Sequence, residues 1–492
     1  MVETSGNERD SRANKRVIVV GGGLAGLAAA TILAERGRDV VVIESEAFLG
    51  GRVGAWADKL NDGTEFQMER GFHAFFRQYY NLRALIRRVD PDLKSLVPMD
   101  DYPLLGPNGA TQSFSNLPKQ MPLNILELLR RTPTFRARDL LTVSPRKAAA
   151  MMAFDPQRTY ARWDRTTAAE YLDSLHFPED ARRMLFDVFA HSFFNPEGDY
   201  SAAELLAMFH FYFLGNPEGL VFDTMNVPFS RGLFEPLARH LQNLRTELRL
   251  SEPVLRITKN ENGTFVAETS QGTIEGSELV LAVSIPGLKQ LVKSSPTLFD
   301  PTFRANIDRL TVTLPFAVWR LWYDKKVNAD RPPFAGTSGL GCIDNISVFE
   351  KLEDESRAWS ERNGGSVVEL HAYAVDATWS EQRVREDLMR GLHAAYPETR
   401  TMKVLEERFL LRQDCPAFRP GDHASRPGVE TAGRGVYLAG DFVKLPWASA
   451  LMERAVTSGF MAANAILTKA QKQPVEIKTI KPRGFLAGTP GI

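Results

Sequence analysis

Between residues 17 and 34 the chain reads VIVVGGGLAGLAAATILA, a long stretch without a charge. Such a stretch can cross a bilayer as a helix, but three consecutive glycines interrupt it. A strand, a glycine turn and a helix fill it better, and the RDVVVIE that follows has strand character. Residues 15–44 are therefore expected to form strand, turn, helix and strand, closing a parallel pair by a right-handed crossover. Farther on, Phe72, Phe75, Phe76, Tyr79, Leu82, Ile86 and Val89 recur at spacings of three and four. That periodicity predicts a helix over 72–89. Residues 160–245 read as largely helical. Residues 248–285 alternate as strands with turn signals such as Asn262-Gly263 between them. Further strands are expected at 314–324 and 366–376 and a helix at 381–396. The segment GVYLAGD at 435–441 then leads into a helix running to about 467.

Prolines at 122, 133 and 145 cut residues 119–155 into short helical pieces. Thr132-Pro133 and Ser144-Pro145 look like helix starts, a capping hydroxyl before a proline at the first helical position. Residues 119–147 combine many Leu, Ile and Phe with a local charge of +5, from Lys119, Arg130, Arg131, Arg136, Arg138, Arg146 and Lys147 against Glu127 and Asp139. The first fifteen residues are polar and lack the apolar core of a signal peptide, so they are expected to form a disordered tail. The tail 468–492, rich in proline and glycine near its end, is expected to fray.

A chain of 492 residues exceeds a single hydrophobic core and implies two or three packed units. The 60 basic and 60 acidic residues cancel, which argues against a nucleic-acid partner attracted by net charge. Two cysteines, Cys342 and Cys415, rule out a disulfide scaffold and a four-cysteine zinc site, and no metal site is expected.

The candidate chemistry lies at the two ends. Gly21-x-Gly23-x-x-Gly26 follows a strand and opens a helix. The first glycine permits the tight turn, the second lets backbone approach a pyrophosphate, and the third lets helix pack on strand. Glu44 closes the second strand, where an acid accepts hydrogen bonds from a ribose diol. Gly50-Gly51-Arg52 follows as a second pyrophosphate contact. Near the C-terminus Gly440 and Asp441 end an apolar strand ahead of a helix, whose N-terminal N–H groups suit the electron-rich edge of a reduced flavin. The sequence contains no second glycine motif of this kind, so a single dinucleotide, FAD, is expected.

These motifs resemble the flavin amine-oxidase and carotenoid-desaturase superfamily, through VVGGGLAGLAAA and VIESEAFLGGR within 19–52 and YLAGDFVKLPWASALMERAVTSGF at 437–460. The stretch MERGFHAFFRQYYNLR at 68–83 narrows the resemblance to the phytoene and ζ-carotene desaturases, with Phe72 where their pattern has Leu. It is most similar to the β-carotene desaturase/methyltransferases, the isorenieratene synthases. The resemblance implies an α/β fold: a Rossmann-type FAD-binding domain of the amine-oxidase/phytoene-desaturase type with a mixed-sheet plus helical substrate domain. The FAD unit would be discontinuous, over 16–115, 235–290 and 430–467. Residues 116–234 and 291–429 would form the substrate and membrane-facing unit. By resemblance Arg70, Gly71, Val254 and Met452 join the cofactor contacts, and the charged head of 68–83 lies against the isoalloxazine. Cys415 stands roughly where some amine oxidases carry a flavin-linked cysteine, but its surroundings fit noncovalent members equally, and a noncovalent FAD is expected.

The implied activity is oxidation of a carotenoid. It would start with hydride loss from a β-ionone ring carbon, followed by a 1,2-methyl shift, proton loss and a second oxidation to an arene. Glu69, His73 and Glu453 are the candidate bases. The alternatives are desaturation or isomerisation of linear carotenes, a flavin amine oxidase, and a carotenoid carrier without turnover. His191, His210 and the phenylalanines around them are candidates for a hydrophobic tunnel or for ordinary core. Because a long hydrocarbon stays in the bilayer, the basic aliphatic segment at 119–147 suggests peripheral, monotopic docking on the cytoplasmic side. A quinone is a candidate electron acceptor.

Overall fold

In the computed structural model we describe residues 16–99, 101–119, 123–131, 143–176, 182 and 193–489. Arg16–Val20, helix Leu24–Glu35 and Asp39–Ile43 form the expected crossover. They nucleate a parallel sheet of five strands in the order Glu247–Arg249, Asp39–Ile43, Arg16–Val20, Glu278–Leu281 and Val436–Leu438. Buried on both faces, the central strands read as continuous Val and Ile runs, as parallel sheets require. Helix Leu24–Glu35 and the C-terminal helix Leu451–Lys469 pack together, and Gly459 makes this possible. A Cβ there would lie 2.3 Å from the Ala25 carbonyl oxygen. The 17–34 stretch is thus strand and core helix, and no helix among the described residues is long and apolar enough to cross a membrane.

A second, seven-stranded sheet runs in the order Val404–Arg412, Phe316–Tyr323, Val367–Ala372, Asn345–Val348, Phe334–Thr337, Leu104–Leu105 and Thr111–Gln112. It is antiparallel except where Phe334–Thr337 meets Leu104–Leu105. Residues 104–112 therefore belong to this sheet and not, as the expected boundary at 115 had it, with the glycine-motif unit.

Three local expectations are corrected. First, residues 72–79 are not helical. Phe75–Phe76 is a short strand paired with Phe222–Met225, and the helix spans only Tyr80–Ile86. The apolar stripe is buried all the same, because the extended segment runs between two packed units. Phe72 stacks on Phe334 at 4.4 Å, and Phe75 and Tyr79 enter the main core. Second, Phe222–Met225 interrupts the largely helical 160–245 region with a strand. Third, the C-terminal segment is tied down. Lys481 N–H donates to Gly215, Gly484 N–H to Phe154 and Leu486 N–H to Met152, each to the carbonyl oxygen. Helix Pro145–Met151 begins after Ser144 as expected, but the Ser144 hydroxyl makes no capping hydrogen bond. Thr132-Pro133, Arg136, Arg138, Asp139, His191 and the first fifteen residues lie outside the described residues.

Candidate active site

Both sheets border one continuous cavity of about 1040 Å³. At one end the strand-to-helix turn brings Gly21 and Gly23 beside Gly50 and Gly51, and the two turns touch through a Gly23–Gly50 bridge. Gly21 has φ +105°, which disfavours a side chain. A Cβ on Gly23 would meet nothing closer than 4.0 Å, so its side of the turn is open. Gly26 serves packing: a Cβ there would sit 1.9 Å from the Gly21 carbonyl oxygen. Glu44 lines the cavity and accepts from the Gly22 N–H at 2.6 Å. Arg52 reaches across the chain to Asp441, Nη2 to Oδ1 2.5 Å, and both border the cavity with Val254, Gly440 and Met452.

These residues fit a dinucleotide. They provide glycine backbone open to close approach at a helix N-terminus, a carboxylate at the end of the second strand, and an Arg–Asp pair contributed by opposite ends of the chain. Cys415 borders the same space and forms no disulfide. Burial pushes its thiol up to about 11, with Arg52 pulling only partly the other way.

The other end is aromatic, with Phe72, Phe76, Phe114, Phe193, Phe213 and Phe334 on its walls. Arg70 borders it, held in a bidentate pair with Asp414 at 2.9 and 2.8 Å. His73 also faces it. Nδ1 lies 2.8 Å from the Gly71 carbonyl oxygen, so that nitrogen carries the proton and Nε2 keeps a lone pair. Burial first, then the nearby His371 and Arg70, bring the His73 imidazole down to about 4, so it is neutral near pH 7.

The remaining candidates are placed differently. Gly71 does not border the cavity but turns with φ +96° against His371, whose Nε2 would lie 2.5 Å from an added Cβ. Glu69 ends a strand and is buried, accepting from the Phe229 N–H at 2.7 Å. Burial pushes its carboxyl up to about 8 against the Arg320 charge. Glu453 does not face the cofactor end. Oε1 accepts from the Asn81 N–H at 2.9 Å and Oε2 from the Leu82 N–H at 2.9 Å, so the carboxyl caps the first turn of helix Tyr80–Ile86. His210 is a satisfied core histidine, Nε2 2.7 Å from the Lys481 carbonyl oxygen.

A polar row escaped the sequence reading. Glu369, His371 and Tyr373 alternate along and just beyond strand Val367–Ala372 and so share one face. His371 and Tyr373 border the cavity, as does Asn345 opposite His371 in register. The alternation was visible, but a polar face on a strand ordinarily means solvent. Here the sheet turns that face inward.

The family model described as flavin containing amine oxidoreductase matches residues 24–467. The chain is 47% identical over 453 residues to a carotenoid phi-ring synthase of Streptomyces griseus, covering 92% of this chain and 88% of that one. It is 27% identical to a carotenoid phi-ring synthase of Chlorobaculum tepidum, with 99% and 94% covered. Its fold is similar to that of a cyclohexylamine oxidase from Brevibacterium oxydans, with a TM-score of 0.67 at 16% identity and 93% and 100% covered. With cofactor-type residues from both ends of the chain on one cavity, and a family match spanning most of its length, the chain belongs to the flavin-containing amine oxidoreductases.

Proposed function

We propose that the protein is an oxidoreductase with a noncovalent FAD that oxidises the β-ionone end ring of a carotenoid toward an arene, with migration of a methyl group. One observation carries this: a single cavity is lined both by the glycine turns, Arg52 and Asp441 and by many phenylalanines. A flat hydrocarbon ring and the cofactor can therefore share one space. The two phi-ring synthase relatives support the ring as the site of oxidation.

When bound, the flavin supplies hydride acceptance from a ring carbon. This chain's residues bind and orient the reactants and handle protons. Gly23, Gly51 and the Arg52 guanidinium would hold the pyrophosphate, the N–H groups of Gly21, Gly22 and Gly50 being donated within the protein. Glu44 takes the ribose, and Asp441 takes the ribityl hydroxyls. The phenylalanine walls exclude water, which would otherwise capture a ring cation. Of the three candidate bases, His73 alone presents a lone pair to the cavity, and we assign it as a proton acceptor. The Cys415 thiol is held protonated by burial and is a weak nucleophile, which supports a noncovalent cofactor.

Peripheral membrane contact belongs to the same proposal. Helix Leu123–Arg131 exposes Leu123 and Leu126, 52% and 57% accessible, while Asn124 donates to the Phe213 carbonyl at 2.7 Å. Phe213 borders the cavity, so the exposed leucines lie close to its aromatic end. Arg130 and Arg131 both pair with Glu127 at 2.6 Å, so the two share one counter-charge.

Expression in a β-carotene-producing host, with chromatography of the pigments, tests the reading. Aromatic-ring carotenoids are expected, together with a yellow protein that releases its flavin on acid precipitation. Only linear carotenes of altered desaturation would replace the ring assignment. Flavin retained in the acid pellet would replace the noncovalent one.

A further inference from the structure

We propose that Tyr373, backed by His371 and Glu369, is a second proton acceptor on the substrate cavity. The proposal rests on the ring-oxidation reading above. Converting the ring to an arene releases two hydrides and two protons, and His73 is a single acceptor.

The relay is a continuous chain of hydrogen bonds, and its direction follows from the tautomer assigned to His371. Glu369 Oε2 accepts from Arg320 Nε at 2.8 Å, and Oε1 accepts from the Phe72 N–H at 3.0 Å. Burial alone would raise this carboxyl, but the Arg320 charge and the His371 bond outweigh it and hold the group down to about 2. Glu369 is therefore a carboxylate that only accepts. His371 Nε2, 2.8 Å from Oε1, must donate to it. We assign His371 the neutral form protonated on Nε2; its Nδ1, 2.8 Å from Tyr373 Oη, then accepts from the phenol. Asn345 Nδ2 donates to the same Oη at 2.9 Å. One Oη lone pair remains, on a side chain that borders the cavity.

The step balances. A C–H bond of the ring cation breaks, and its electron pair stays in the ring as a new double bond. The proton goes to Tyr373 Oη as the phenol's own proton passes to His371 Nδ1. The resulting imidazolium sits against the Glu369 carboxylate, which stabilises it as the carboxylate of a Ser–His–Asp triad does. Tyr373 touches the substrate; His371 and Glu369 act through it as positioning residues. Gly71 is the residue that makes room, since a side chain there would collide with the His371 ring.

Two measurements on the flavin-loaded protein test the relay. In ¹⁵N-histidine NMR, His371, assigned by its loss in His371→Gln, is expected as the neutral tautomer protonated on Nε2. A proton on Nδ1 would overturn the relay, because the phenol would then be the acceptor. Tyr373→Phe keeps the ring packed on Phe194 and is expected to retain flavin and melting temperature, with KM within threefold. Its kcat for the aromatic-ring product should fall about 10²-fold or more, in the range for a lost general base. If the wild type converts no carotenoid, the functional reading fails. If the wild type converts it and Tyr373→Phe matches its rate within threefold, the relay alone fails.

Discussion

The two buried carboxyls that looked catalytic in the sequence carry their consequences in stability. Glu69 accepts one backbone N–H and keeps its proton up to about pH 8 in the folded protein, whereas an unfolded glutamate loses it near pH 4.5. Between those values unfolding releases a proton, so this group's stabilisation is complete below about 4.5 and is lost as pH rises through 8. Glu69→Gln imitates the protonated form at all pH values. It should match the wild type near pH 5 in urea unfolding and gain on it toward pH 8 by at most about 1.4 kcal/mol per pH unit. A constant offset between the two proteins across this range would mean that Glu69 is ionised in the fold. This substitution should also leave ring conversion largely intact, since the carboxyl does not border the cavity.

At the scale of elements, helix Tyr80–Ile86 spans only seven residues, too short to persist without outside partners. Its first turn depends on the C-terminal helix, through Glu453 and the Asn81 side chain, which donates to Glu453 at 2.7 Å and to the Lys478 carbonyl oxygen at 2.8 Å. Glu453→Gln replaces one accepting oxygen by an NH₂ group. It leaves a buried N–H of Asn81 or Leu82 without its acceptor, at a cost of about 1–3 kcal/mol. Denaturant midpoints of the purified holoprotein should register that loss while aromatic-ring product per folded enzyme stays near wild type. Unchanged stability with abolished turnover would return Glu453 to the list of bases.

For the whole molecule, the question is how it meets a substrate dissolved in a bilayer. Helix Leu123–Arg131 offers two half-exposed leucines, and burying the rest of each is worth about 1 kcal/mol. The double variant Leu123→Glu/Leu126→Glu should bind liposomes at least about tenfold more weakly in flotation assays, with flavin content unchanged. Equal flotation would place the membrane contact elsewhere. Because Arg130 and Arg131 share Glu127, reversing those two arginines alone should weaken binding to anionic vesicles less than the leucine change does.

The sequence by itself determined the elements governed by neighbouring residues. The glycine turn, the crossover around it, the strands at 316–323 and 367–372 and the helices at 381–395 and 451–469 all follow from local periodicity and turn chemistry. The glycine turns that border one end of the cavity were likewise legible, because a tight strand-to-helix turn needs glycine in any context. Tertiary structure decided which way polar groups face. An alternating strand does not say whether its polar face meets water or a cavity, so nothing in the sequence singled out Glu369, His371 and Tyr373. A glutamate near a helix start does not say whether it serves a ligand or a distant helix, and Glu453 serves residues 371 and 372 positions away. The stripe at 72–89 met the demand for burial as strand and loop as well as helix, because the two packed units around it, and not its own periodicity, supplied its partners.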